Sequence, residues 1–302
     1  MERLEPRLLL AADLSADEVM DRIVWQGREA DVRSGFWNGR FESATPYGSP
    51  AIPAALLPVV TWTTTSLGEG FFSLSAPAAD PQLVIDWANQ TPGVLAIEPD
   101  FIVDAPPIEP DFPVEVLPDA AATAFAGGAE PVSIPDDPDF PDQWAPPTVS
   151  ATSAWSVSVG ARSIIVAVLD SGVDLSHPDL VDNLWSNPRD VAGNGVDDEG
   201  NSFIDDVRGW NFVDGDNDIQ DRYGHGTHVS GIIGATGNNG VGVAGLNWRV
   251  SIMALKILGD DGLGTASSAI AAMNYVTMMR RDFEANIVVS NNSWGPLPAC
   301  RS

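Results

Sequence analysis

The stretch "SIIVAVLDSG", residues 163–172, decides the fold. From Ile164 to Leu169 it is apolar without polar alternation, the pattern of a strand covered on both faces. The run stops on Asp170, and Ser171 and Gly172 then turn the chain out of the sheet. A carboxylate in that place is partly desolvated and needs a hydrogen-bond donor, because an unpaired buried charge costs several kcal/mol or more. The same alternation continues downstream, with a helical pattern in "HVSGIIGAT" (228–236), a strand in "VSIMALKIL" (250–258), a helix in "ASSAIAAMNYVTMMRR" (266–281) and a strand in "ANIVVSNNS" (285–293). Elements in that order predict an α/β domain around a parallel sheet, with active groups gathered beyond the C-terminal strand ends. Asp170 and the "SNNSWG" segment both sit at such ends.

A donor for Asp170 is available in "DRYGHGTHVSGIIGA", residues 221–235. His225 stands just ahead of a helical run, where the positive end of the helix dipole favours a neutral ring able to act as a base. Gly224 and Gly226 leave room for a substrate or a hydroxyl. Alone, each residue has a bland reading, a strand-end turn or cap for the aspartate and a loop residue for the histidine. Together, in this order on a strand and a helix, they read as a catalytic pair.

The composition narrows the partners. A formal charge of −27 over 302 residues repels phosphate, which argues against nucleic acid and anionic membrane surfaces and leaves calcium and basic peptides open. One cysteine, Cys300, leaves no internal disulfide framework. The apolar run Leu8 to Ala12 falls short of a usual signal-peptide core, though "LEPRLLLAA" resembles a short leader of large secreted bacterial surface proteins. No segment reaches membrane-spanning length without proline or charge.

Residues 1–14 read as a leader and residues 15–104 as a small α+β unit. Its best-signalled helix has Asp80 as cap, Pro81 in the first turn, an apolar face of Leu83, Val84, Trp87 and Ala88, and Pro92 and Gly93 as terminators. A capping box at Ser15 and Glu18 competes with a strand reading of "RIVWQ", and the two stay open. Residues 105–135, rich in Pro, Ala and acid, read as a solvated linker to a second domain, 136–302.

The strings "AVLDSGVD" and "GHGTHVSG" resemble a subtilisin-like serine protease (subtilase), over about Asp136 to Gly295. The resemblance implies a subtilisin-like parallel sheet with helices on both faces, preceded by a propeptide domain ending in "GVLAIEPDFIVD". By it Asp170 is the orienting acid, His225 the general base and His228 structural, in the order Asp, His, Ser. It also implies peptide or protein substrates, the chain's own propeptide in the active cleft, and secretion or a cell-surface location. An extended peptide would lie between Gly262, Leu263 and Gly264 on one side and Ser293, Trp294 and Gly295 on the other.

The family's nucleophile string, Gly-Thr-Ser-Met-Ala, and the strand bearing its oxyanion-hole asparagine do not occur here, and "GTASSAI" (264–270) aligns with the wrong element for Ser267 or Ser268 to replace it. The expectation is therefore a catalytic domain truncated before its nucleophile and unable to turn over peptides, since losing that serine costs about a millionfold. The alternative is a non-catalytic calcium-binding secreted fragment or a propeptide-type inhibitor. A zinc enzyme using His177, His225 and His228 is disfavoured, because two histidines at i, i+3 around Gly and Thr do not make a zinc-protease helix.

Calcium is the cofactor the resemblance implies, at two sites. One would use Asn211, Asp214, Asp216 and Gln220 with the Asp218 carbonyl; the other would use Asp137, Asp179 and Asn239 with the carbonyls of Thr236, Val241 and Val243. A third acidic run, "GNGVDDEGNSFIDD" (193–206), departs from the EF-hand register, and whether Asp197 to Asp206 holds an ion is left open.

Overall fold

A computed structural model describes residues 9–10, 20–25, 28–41, 63–68, 70–76, 81–91, 93–106 and 134–296. The strands are β1 (Leu9–Leu10), β2 (Met20–Trp25), β3 (Arg28–Phe41), β4 (Thr63–Gly68), β5 (Phe71–Ser75), β6 (Val94–Asp104), β7 (Gly160–Asp170), β8 (Gly209–Asn211), β9 (Arg249–Lys256), β10 (Leu263–Thr265), β11 (Ile287–Asn292) and β12 (Gly295–Pro296). The helices are α1 (Pro81–Gln90), α2 (Ala145–Thr148), α3 (Ala151–Ala154), α4 (His225–Gly234) and α5 (Ala266–Asp282). The Ser15–Glu18 capping box, Asp80 and most of the linker lie outside the described residues. Two compact units result: residues 1–104 with 263–279 and 294–302, and residues 105–262 with 280–293.

In the first unit the open choice resolves as strand over its described residues "RIVW", because β2 pairs antiparallel with β3 from Met20↔Arg33 to Trp25↔Arg28. Beyond Gly35, at φ 70°, β3 pairs with β5 along one edge and with β6 along the other. The face of α1 foreseen from its spacing closes this sheet: Val84, Trp87 and Ala88 are buried with Trp37, Phe72, Leu74 and Ile97, and Leu83 packs against them. Trp87 meets Phe72 edge to face at 6.1 Å. Each large side chain so buried contributes about 1.5–3 kcal/mol.

The end of β6 is flanked on both sides. Leu263, Gly264 and Thr265 of β10 pair antiparallel with Asp104, Val103 and Ile102, and Gly295 and Pro296 of β12 pair with Asp104 and Val103. Just upstream, buried Asp100 caps α5, accepting the Ser267 N–H at 2.8 Å and the Ser267 hydroxyl at 2.7 Å, and it also accepts the Asn38 amide at 2.8 Å. An acid at this position satisfies free N–H groups and meets the positive end of the helix.

The second unit holds a four-stranded parallel sheet in the order β11-β7-β9-β8. Val166, Val168, Val250, Ile252 and Ala254 form one core with Val229 of α4, and the alternate residues Ala167, Leu169, Met253 and Leu255 are buried as well. Burial of both sets is what the unbroken apolar runs predicted. The register ends with Asp170 opposite Lys256, so the sheet delivers both charged groups to its C-terminal edge.

Candidate active site

Asp170 closes β7 and His225 opens α4, and their side chains meet at 2.8 Å between Oδ1 and Nδ1. Asp170 is fully buried and His225 is 6% exposed. A carboxylate acceptor at that distance holds the ring proton on Nδ1 and leaves Nε2 with its lone pair. Oδ1 also accepts the Ser171 N–H at 2.7 Å, whereas Oδ2 is buried without a hydrogen-bond partner. Burial pushes the Asp170 carboxyl above the usual carboxylate range, and the bonds from His225 and Ser171 bring it only part of the way back.

The helix begins three residues earlier than its apolar pattern, because its first N–H groups are satisfied from outside that pattern. Ser171 Oγ accepts the Gly226 N–H at 2.9 Å and Asp221 Oδ2 accepts the Thr227 N–H at 2.9 Å. A Cβ on Gly226 would stand 2.2 Å from the Gly172 carbonyl oxygen and 3.2 Å from the Asp170 Cβ. Only glycine lets the helix close on the strand end tightly enough for the imidazole to reach the carboxylate. His228 lies on the exposed side of the same helix.

Three further residues that sequence reasoning missed hold this pair. Ser171 donates its hydroxyl to Asp221 Oδ1 at 3.0 Å, and its carbonyl accepts the Lys256 ammonium at 2.9 Å. Lys256, 1% exposed, reaches out to Asp260 at 3.1 Å. Burial alone would raise Asp221, but the Thr227 hydroxyl and the N–H groups of Gly224 and Thr227 outweigh it and hold its carboxyl below the usual range. The available signals were an acid four residues ahead of a His-Gly helix start and a lone lysine closing the apolar run "IMAL".

Of the strands expected to hold substrate, Leu263 and Gly264 lie in β10 and Gly295 in β12, so Asp104 faces Leu263 in one ladder and Gly295 in the other. Trp294 has its indole N–H buried without a partner, and Ser293 Oγ accepts the Asn291 amide at 2.9 Å. Gly262 closes the preceding turn at φ 80°, where a Cβ would stand 2.5 Å from the Tyr223 ring, and its carbonyl accepts the Ala105 N–H at 3.2 Å. Ser267, 8% exposed, spends its hydroxyl on Asp100 and Thr265.

The calcium sets come together to different degrees. Asp137 and Asp179 are buried around the loop 236–243: Asp137 accepts the N–H groups of Asn238 at 2.7 Å and Asn239 at 3.2 Å, and Asp179 accepts the Asn239 amide at 3.0 Å and the Val243 N–H at 2.9 Å. Burial, with the Asp137 charge nearby, raises the Asp179 carboxyl despite those bonds. Among the described residues no backbone N–H is donated to the carbonyls of Thr236, Val241 or Val243, so this hard-oxygen set fits calcium. In the other set Asn211 joins Asp214 at 2.9 Å and Asp216 at 3.1 Å through its amide. Gln220 instead turns its oxygen to the Leu175 N–H at 3.3 Å and its amide nitrogen to Asp174 at 3.5 Å. Asp214 and Asp216 offer hard oxygens, but Asn211 turns its amide nitrogen to them and its Oδ1 to the Val213 and Asp214 N–H groups, and the Gln220 side chain is held elsewhere.

A third acidic group brings three carboxylates together. Oxygens of Asp190, Glu199 and Asp206 lie within 4.8 Å of one another. Burial and the Asp206 charge push the Asp190 carboxyl up to about 6.

Comparison with known proteins places the second unit's sequence beside one family. Residues 161–301 match the model of the subtilase family. The chain is 42% identical over 111 residues to subtilisin-like protease 1 of Plasmodium vivax, covering 36% of this chain and 18% of that protein. It is 34% identical over 142 residues to thermitase of Thermoactinomyces vulgaris, covering 47% of this chain and 43% of that protein. The chain thus spans less than half the length of these relatives. Its fold is similar to the crystal structure of fervidolysin from Fervidobacterium pennivorans, a keratinolytic enzyme related to subtilisin: TM-score 0.58 at 19% identity, covering 87% of this chain and 36% of that one.

Proposed function

We propose, from the premise that residues 161–301 belong to the subtilase family, that this chain carries the acid and the base of a serine endopeptidase. The buried 2.8 Å contact between Asp170 and His225 carries the proposal. In the reaction His225 Nε2 takes the proton from a serine hydroxyl as its oxygen attacks the scissile carbonyl carbon. Asp170 stabilises the imidazolium that forms, and the same proton passes to the leaving amine. We assign that serine, and the asparagine that would bind the oxyanion, to residues outside these 302. Peptide and protein backbones are the substrates, bound as an extended strand between β10 and β12.

The reading includes self-occlusion. The β6 segment Ile102–Asp104 lies where that extended strand would lie, which supports residues 15–104 as a propeptide that fills its own cleft. The same pairing favours a second reading, an inhibitor of an intact relative; adding the chain to an active subtilase and finding no loss of turnover removes it. Calcium would be held by Asp137 and Asp179 and by Asp214 and Asp216, with Asn239, Asn211 and Gln220 joining once their amides turned an oxygen to the ion, and would serve as a cross-link between loops. Among the described residues no helix is long and apolar enough to cross a membrane. A secreted or cell-surface setting, where free calcium is abundant, completes the reading.

The purified 302-residue chain is expected neither to hydrolyse casein nor to be labelled at a serine by a fluorophosphonate. Labelling at a serine within it overturns the assignment of the nucleophile. Coding sequence read past codon 302 in three frames is expected to contain a Gly-Thr-Ser-Met string.

A further inference from the structure

The run Asp190–Asp206 holds six carboxylates, and their hydrogen bonds divide them into two kinds. Asp197, Asp198 and Asp205 build the loop. Asp197 accepts the N–H groups of Gly200, Asn201 and Ser202, Asp198 those of Val191 and the Asn194 amide, and Asp205 those of Asn194 and Gly195. Asp190, Glu199 and Asp206 instead converge, with oxygens within 4.8 Å of one another. Asn187 and Asn201 each donate an amide to both Glu199 and Asp206, which brings those two carboxylates together.

The convergence is not satisfied from within. Asp190 is only 9% exposed; its Oδ1 accepts the Val191 N–H at 3.0 Å, but its Oδ2 is buried and accepts nothing, and Glu199 Oε2 is in the same state. Among the described residues neither Asp190 nor Glu199 is paired with a lysine, arginine or histidine. An unmet buried carboxylate oxygen is costly, and Asp190 and Glu199 each keep one beside the other's charge. A cation placed among these oxygens removes the repulsion and both deficits at once. Hard oxygen donors without nitrogen or sulfur select calcium over zinc, and carboxylates drawn from one irregular loop suit calcium's wide coordination better than magnesium's strict octahedron.

We propose that Asp190, Glu199 and Asp206 form a calcium site, separate from the two sets above, with Asp190 Oδ2 and Glu199 Oε2 as ligands. It rests on none of the catalytic assignments. The test is equilibrium dialysis of the whole chain against calcium chloride alone, beside thermal unfolding with and without chelator. The double variant Asp190→Asn, Glu199→Gln is expected to bind one calcium fewer per chain than the parent. In chelator the variant is expected to melt above the parent, since the repulsion is gone; in calcium the order reverses. An unchanged stoichiometry, or a variant that melts lower by the same amount with and without calcium, overturns the site and leaves a cluster held by hydrogen bonds only. Should the variant fail to fold, the single change Glu199→Gln, which keeps the Oε1 acceptor for both asparagines, is read the same way. Saturation by magnesium chloride at equal concentration, with no preference for calcium, overturns the choice of ion.

Discussion

Replacing Asp170 by asparagine changes one atom type at the most buried point of the site, and its effects can be worked out separately for the proton and for stability. The amide oxygen can keep the Ser171 N–H now accepted at 2.7 Å, and the amide nitrogen then faces His225 Nδ1 at 2.8 Å. A donor there forces Nδ1 to accept, so the ring proton moves to Nε2 and that nitrogen can no longer take a proton from a hydroxyl. In an assembled triad such a tautomer reversal costs about 10⁴ in turnover. The fold loses no charge pair that leaves a partner stranded, since the neutral ring gains a neutral bond worth about 1 kcal/mol. The sign of the pH effect follows from burial, which raises the Asp170 carboxyl in the folded state. Above about pH 4, where an unfolded aspartate ionises, the folded chain holds the extra proton, so the parent loses stability as pH rises through the raised value and the variant does not. The variant should therefore match the parent within about 1 kcal/mol in acid and gain on it towards neutrality. Nitrogen NMR of the imidazole reads the tautomer and urea unfolding across that range reads the stability. Repeating both stabilities in a His225→Gln background isolates the contribution of the carboxyl. Retention of the proton on Nδ1 in the variant, or a stability gap that closes as pH rises, refutes the reasoning.

Gly226→Ala must move α4 or the Gly172 turn, since its Cβ would sit 2.2 Å from a carbonyl oxygen; a loss of about 1–3 kcal/mol in denaturant unfolding is expected, together with exchange broadening of the His225 ring signals. Asp100→Ala strips three accepted bonds from the start of α5 and from Asn38, with an expected cost of about 1–3 kcal/mol, and Asp100→Asn should recover part of it. Excess chelator should lower the melting temperature, by an amount corresponding to about 2.7 kcal/mol per site for calcium held at a hundred times its dissociation constant. Asp179→Asn should shrink that shift, and a melting curve indifferent to chelator counts against every calcium site.

Much of this was legible in the residues because it depends on local pattern. An unbroken apolar run ending in Asp170 forecasts a doubly covered strand that carries an acid to the sheet edge, and the spacing Leu83, Val84, Trp87, Ala88 forecasts the buried face of α1. The early start of α4 was not legible, since the groups that cap it, Ser171 and Asp221, come from another strand end and from the preceding loop. Nor was the division of the acids between 190 and 206. Composition marks all six as one acidic run, and only their placement shows that three tie down backbone N–H groups while Asp190 and Glu199 keep unmet oxygens. The ambiguity at "RIVWQ" had a different origin: the partner strand follows at once, with Trp25 opposite Arg28, and the periodicity of one strand does not reveal that hairpin.

The contrast between two buried carboxylates shows which of them suits the proposed role of orienting acid. Asp221 receives five hydrogen bonds, from Ser171 Oγ, the N–H groups of Tyr223, Gly224 and Thr227, and the Thr227 hydroxyl, and its carboxyl is held low. Such an anion is fully satisfied and gains little from further charge nearby; it serves as a fixed cap for α4. Asp170 receives two bonds on one oxygen, none on the other, and stays raised. It therefore has the most to gain when the ring beside it becomes cationic, which is the event that proton abstraction at Nε2 brings about. Lys256 does not quench this, because its ammonium bonds the Ser171 carbonyl and Asp260 and not the Asp170 carboxylate. The under-satisfied acid, costly to the resting fold, is what would couple the strand end to the proposed base.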